Sequence, residues 1–203
     1  MKRAREYRKL ARGTLGQSIF GTKWMYGLLA VLVYTLLLGA VSALGVGILG
    51  LLISGPLAYG LISVYLRIVR NEDEKADVAR LFDGFKEKFG ESVLTILLEE
   101  IFIFLWSLLL IIPGIIKSYA YSAAMYLVRE RNLQGNEAIT ESRRLMNGNK
   151  WKLFCLDLSF IGWYVLGMLC LGIGVFWVYP YHQAARTHFF EDILKNPEVI
   201  EAK

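Results

Sequence analysis

Residues 24–66 form a run of 43 positions without a charged side chain. One membrane-spanning helix needs about 20 apolar residues, so this run is long enough for two. In a bilayer the backbone must satisfy its own hydrogen bonds, which makes such runs helical. Two turn signals compete to divide it. A turn at Gly45-Val46-Gly47 gives two helices of similar length, whereas one at Ser54-Gly55-Pro56 leaves an overlong helix and a short one. We take the first. Pro56 then lies inside the second helix, where membrane helices tolerate a kink.

The same layout recurs. Leu158 to Tyr181 is again free of charge, with Leu171-Gly172-Ile173-Gly174 as the turn and Asp157 and Arg186 on the two arms. Residues 93–112 make a further apolar stretch containing Glu99 and Glu100, broken at Pro113-Gly114. Residues 115–128 return as a span of marginal length, with a re-entrant segment as the alternative. Each hairpin follows a polar segment. Lys23-Trp24 matches Lys150-Trp151, and Pro56, Pro113 and Pro180 fall near or soon after the three turns. This is a weak internal repeat. The expected fold is an all-α membrane protein. It has six transmembrane helices in three hairpins (about 24–69, 93–128 and 151–190), joined by amphipathic cytoplasmic helices.

The connectors carry that amphipathic pattern. Val78, Leu81, Phe82, Phe85 and Phe89 recur at helical spacing. Asn136 is positioned to cap a helix whose apolar face is Ala138, Ile139, Leu145 and Met146. Residues 1–23 are strongly basic, with Tyr7, Leu10, Ala11 and Thr14 as a weak apolar face for a surface helix, a disordered tail being the alternative. No cleavable signal sequence is expected, because polar residues separate the basic start from Trp24. Residues 191–203 read as a polar tail.

Orientation follows from charge. Of the 23 Lys and Arg, 22 lie in the N-terminal segment, the two connectors and the C-terminal segment, and only Lys117 falls outside them. The positive-inside rule puts both termini in the cytoplasm. The net charge of +5 flanks apolar runs, so its expected partners are anionic lipid headgroups at the cytoplasmic face of the bilayer and not nucleic acid. A membrane protein or a second copy of the chain is the expected protein partner. Cys155 and Cys170 are about 22 Å apart along one helix, too far to bridge.

Several strings resemble a known family. These are Ile112-Pro113-Gly114-Ile115-Ile116-Lys117, Glu141-Ser142-Arg143-Arg144-Leu145-Met146, Leu156-Asp157-Leu158-Ser159-Phe160-Ile161-Gly162-Trp163 and Trp177-Val178-Tyr179-Pro180-Tyr181. The chain resembles the bacterial integral membrane family called domain of unknown function 975, most densely from Pro113 to Asp192. The resemblance implies a multi-pass protein of the bacterial cytoplasmic membrane and no particular activity.

The candidate site is a set of polar side chains within the apolar runs. Asp157, Arg186, Glu99, Glu100, His182, Gln183 and Tyr179 form the group. Counted from the turn, Asp157 and Arg186 fall at similar depth on adjacent arms and are expected to meet, with Glu99 competing for Arg186. The pair reads as a structural lock or as an ion or substrate site, and His182 is the residue suited to a proton relay. Lys23, Trp24, Lys150 and Trp151 read as interface anchors. Gly45, Gly47, Pro56, Pro113, Gly114, Gly172, Gly174 and Pro180 read as turns or kinks. The chain has no nucleophile elbow, phosphate loop or zinc motif, so neither cofactor nor metal is expected. The expected role is a non-enzymatic scaffold, regulator or lipid-associated accessory module. The alternative is a small-solute or lipid transporter using Glu99, Asp157, His182 and Arg186.

Overall fold

A computed structural model describes residues 2–16, 18–43, 47–72, 78–109, 111–169 and 172–195, and all regular structure among them is helical. The elements are α1 (Ala4–Leu15), α2 (Thr22–Ala43), α3 (Gly47–Arg70), a 3-10 turn (Val78–Phe82), α4 (Asp83–Glu87), α5 (Phe89–Leu109), α6 (Ile111–Tyr121), α7 (Ala124–Arg131), α8 (Gly135–Leu145), α9 (Lys150–Leu158), α10 (Ile161–Leu169) and α11 (Gly174–Lys195). Three stretches among the described residues are long and apolar enough to cross a bilayer: Thr22–Val41, Leu52–Arg70 and Lys150–Leu169. They support a membrane protein. The chain divides into two compact units. One gathers Met1–Thr35, Ser63–Arg80 and Trp151–Lys203, the other Leu36–Ile62 and Leu81–Lys150.

In the first unit, α1 packs against the C-terminal half of α11. Its buried residues are Tyr7, Ala11 and Leu15, spaced four apart on one helical face. Leu10, expected on that face, is exposed. The Lys2 ammonium donates to both oxygens of Asp192 at 2.9 and 2.7 Å, and the Tyr7 hydroxyl donates to Asp192 Oδ2 at 3.0 Å. Burial first, and then the Asp192 charge, push the Tyr7 phenol up, so it stays protonated and remains a donor. Further along, Thr14 Oγ1 and His188 Nε2 lie 2.8 Å apart. The ring of Tyr7 meets that of Phe189 edge-on at 5.4 Å.

The second unit is built around Tyr59, Ala120, Tyr121, Ala124, Met125, Val128, Ala138 and Ile139. Three of these eight are alanine, which lets α6, α7 and α8 pack closely. The chain breaks between α6 and α7, and Ser142 on α8 serves the freed backbone. Its hydroxyl donates to Ala120 O at 2.8 Å and accepts the Ala123 N–H at 3.1 Å. The segment after residue 78 crosses α3 at backbone distance. A Cβ on Gly60 would lie 2.0 Å from Leu81 O, so only glycine permits the crossing.

Several expectations change. Gly45 lies outside the described residues, between the end of α2 and the start of α3 at Gly47. Pro56 lies inside α3 and Pro180 inside α11, as expected. Pro113-Gly114 does not end a span. It sits in the first turn of α6, where the missing proline N–H has no intrahelical partner to lose. Gly114 instead allows α5 and α6 to approach, since its Cβ would meet Ser107 Oγ at 2.3 Å. The return arm is two short helices, α6 and α7, and not one span.

The connector after α3 is a 3-10 turn plus the five-residue α4, because α3 is crossed too tightly there for a continuous helix. Asn136 lies within the first turn of α8, and its N-cap is Gln134. The helix expected to end at 190 continues to Lys195. Its extra turn is held by ion pairs: Arg70 Nε donates to Glu191 at 2.5 Å, and Lys2 binds Asp192.

Candidate functional site

The third expected hairpin sets its own register near the turn. Gly172 has a φ of +77°, a conformation glycine adopts without penalty. A Cβ on Gly167 would lie 2.8 Å from Val175 N, and one on Gly174 would lie 2.7 Å from Gly167 Cα. This packing of α10 on α11 continues down the arms and leaves Asp157 opposite the turn of α11 that carries His182 and Arg186.

Asp157 Oδ1 lies 2.8 Å from His182 Nε2 and 3.7 Å from Arg186 Nε. On its other side, His182 Nδ1 lies 3.0 Å from the Tyr164 hydroxyl. A carboxylate only accepts, so Nε2 of His182 carries a hydrogen and donates to it. With neutral imidazole, Nδ1 then accepts from Tyr164 O–H. In that tautomer Tyr164 donates to His182 and His182 to Asp157, and Arg186 adds a positive charge beside the same carboxylate. The ring of Phe160 stacks on His182 at 4.5 Å, with a 30° interplanar angle, and fixes its plane. The side chains of His182 and Asp157 are 14% and 18% exposed, dry enough for the pairing to be strong.

The first arm is not a continuous helix. It breaks at Ser159-Phe160, between α9 and α10. The break leaves a backbone carbonyl unsatisfied, and Arg8 of α1 reaches it, donating from Nη1 to Ser159 O at 3.0 Å. The N-terminal helix therefore completes the arm that carries Asp157.

The other expected residues take different places. Gln183 and Tyr179 are half-buried. Tyr179 lies close enough to Tyr164 and Tyr34 to act on both electrostatically. Glu99 and Glu100 lie on α5, in the second unit, whereas Asp157, His182 and Arg186 belong to the first. Trp24 departs from the anchor role because it is only 5% exposed. Its indole N–H donates to Trp177 O at 3.2 Å, a core contact on α11. Lys23 donates to Asn71. Trp151 is 71% exposed and stacks on Phe154. No group of three metal-ligating side chains occurs among the described residues.

Two features escaped the sequence reading. Tyr164 and Phe160 complete the polar chain, and their spacing from Asp157, at i+7 and i+3, is a helical-face signal that was available. The second is a basic collar. Lys117, Arg143, Arg144 and Lys150, with Thr140, Asn147 and Ala120, line a cavity of about 390 Å³. Lys117, the one cation outside the four basic segments, lies among those of the second connector. It shares a cavity with cations of the second connector, and its ammonium lies 4.2 Å from the Trp106 ring centroid. Arg144 is occupied by Glu141, to whose Oε1 it donates at 2.7 Å, while Arg131 donates to the same oxygen at 2.9 Å. Lys117, Arg143 and Lys150 make no ion pair among the described residues.

Residues 108–197 match the model of a family described as "Protein of unknown function (DUF975)". The match takes in α6 to α11, and with them the collar and the whole polar chain. It falls on the stretch where the resemblance in sequence is densest and does not extend over the first half. Neither the curated proteins nor the solved structures contain a match to the chain.

Proposed function

We propose that this chain is a non-enzymatic, multi-pass module of the bacterial cytoplasmic membrane, a lipid-associated scaffold or accessory protein with both termini in the cytoplasm. One observation carries the reading: the polar chain is spent on the fold itself. Asp157 holds His182 and Arg186, His182 holds Tyr164, and Arg8 closes the helix break beside them. Charges paired in this way fasten helices together. Nothing in the arrangement offers a nucleophile activated by a base toward an open site.

The topology we infer refines the six-span expectation. Crossings by α2, α3, the α9–α10 arm and α11 leave both termini on the basic side. The α5–α6 hairpin enters and returns without crossing. The start of α6 at Ile111 is only about 9 Å of helix rise from Lys117, which is at the level of the connector cations, and a full crossing needs about 30 Å. Glu99 and Glu100 then lie below that basic level, near the cytoplasmic boundary, where a carboxylate carries little penalty.

The rival reading is transport. The specific observation in its favour is the unbroken donor order from Tyr164 through His182 to Asp157, which a proton relay would use. Purified protein reconstituted in vesicles with a trapped pH dye separates the two. The scaffold reading expects no proton flux above protein-free vesicles and a lowered melting temperature for Asp157→Asn. Flux abolished by Asp157→Asn, with melting unchanged, would overturn it.

A further inference from the structure

The α5–α6 hairpin combines two features that the fold does not use. Its upper part presents Phe104, Leu105, Leu108, Ile112, Ile115 and Ile116 as exposed apolar side chains. Immediately beneath them lies the collar of Lys117, Arg143 and Lys150. Arg143 and Lys150 are close enough to repel the Lys117 ammonium. Like charges gathered around one cavity repel, and an anion seated among them would relieve the repulsion. Arg adds paired donors suited to phosphate oxygens, and Lys adds a point charge. The cavity of about 390 Å³ equals about a dozen waters at roughly 30 Å³ each, enough for a phosphate with part of its substituent.

We infer that Lys117, Arg143 and Lys150 form a binding site for the phosphate of an anionic membrane lipid, whose acyl chains lie along the exposed apolar tip of α5 and α6. The apolar side chains decide the source. A soluble phosphate would use only the cations, whereas a lipid uses both the collar and the six uncovered side chains above it. Thr140 and Asn147 on the cavity wall supply neutral hydrogen-bonding groups for the headgroup substituent. Bound lipid would hold the hairpin at fixed depth, with its tip in hydrocarbon and its collar at the headgroups.

This inference rests on the membrane-module reading, and the two fail differently. Alkaline carbonate that released the chain from membranes would remove the module. An integral chain that ignored headgroup charge would remove only the site. The test is native mass spectrometry of the full chain in neutral detergent, titrated with dihexanoyl phosphatidylglycerol or dihexanoyl phosphatidylcholine. Phosphatidylglycerol should bind more tightly. Arg143→Gln and Lys150→Gln should each weaken it about tenfold, the loss of one charge-assisted contact. Lys86→Gln, an equal charge change at an exposed position outside the cavity lining, should leave it unchanged. Melting curves identify any variant that fails to fold, and for such a variant Lys150→Arg should retain binding. Equal binding of phosphatidylglycerol by folded Arg143→Gln, folded Lys150→Gln and the parent chain would overturn the site. Inorganic phosphate that displaced the lipid at equal concentration would overturn the lipid as its source.

Discussion

The polar chain of the first unit and the basic collar of the second are both clusters of charged side chains beside apolar helices, yet they are built oppositely. In the chain, each group answers another: Asp157 accepts from His182, which accepts from Tyr164, with Arg186 beside the carboxylate. In the collar, Arg144 is answered by Glu141, while Lys117, Arg143 and Lys150, with no ion pair among the described residues, face a cavity together. A paired cluster stores stability and releases it when one member is removed. An unpaired cluster stores repulsion, and removing one member relieves it. The sign of a mutational effect therefore separates a fastening from a binding site more cleanly than burial does.

The largest effect should come from Asp157→Ala, which strands His182 and Arg186 together. Removing one partner of a fully buried ion pair costs about 3–5 kcal/mol. With Asp157 at 18% exposure, the lower end, about 3 kcal/mol, is expected in a denaturant titration in detergent. The swap of Asp157→Arg with Arg186→Asp should recover part of that loss. Recovery of none would mean that His182, and not Arg186, is the partner that matters.

Next comes Ser142→Ala. It strands the Ala123 N–H and the Ala120 carbonyl at the α6–α7 break, at about 1–3 kcal/mol for a buried unsatisfied group. The melting temperature should fall, and amide exchange at Ala123 should quicken. A smaller effect is pH-dependent. The hydrogen bond from Arg144 first, then the charges of Arg144 and Arg131, hold the Glu141 carboxyl below its ordinary value. Its contribution is present in full above that ordinary value and fades as the pH falls through the lowered one. Melting curves between neutral and strongly acidic pH should show this loss in the parent chain and not in Glu141→Gln, with a size up to about 1 kcal/mol for a partly exposed pair. Smallest is Arg143→Gln. Stability should stay within about 0.5 kcal/mol or rise, and a clear fall would show that the collar is fastened after all.

How much of this the sequence disclosed depended on chain distance. Counting residues from the Gly172 turn was enough to bring Asp157 and Arg186 to the same depth, because a tight hairpin converts sequence position into height. Counting along the chain does not disclose the neighbours of Lys117: α8 packs beside α6 and brings Arg143 to the same cavity. Helix breaks were equally hidden. Neither Ser159-Phe160 nor Ser122-Ala123 contains glycine or proline, and both breaks persist because a distant side chain, Arg8 or Ser142, serves the freed backbone. Trp24 and Trp151 began as matched words in a repeat. One is buried against α11 and the other is exposed, since a local motif does not encode what packs over it.

The contact of α1 with α11 has a consequence for biosynthesis. Lys2 and Tyr7 bind Asp192, partners 190 and 185 positions apart, and Arg8 caps a carbonyl 151 positions away. At about 5–20 residues per second on the ribosome, α1 waits roughly 10–40 s for its seat on α11. A nascent chain stopped before α11 exposes Tyr7 and Leu15 and leaves the Asp192 partners of Lys2 and Tyr7 unmade. The docking of α1 thus reports that α11 has been made.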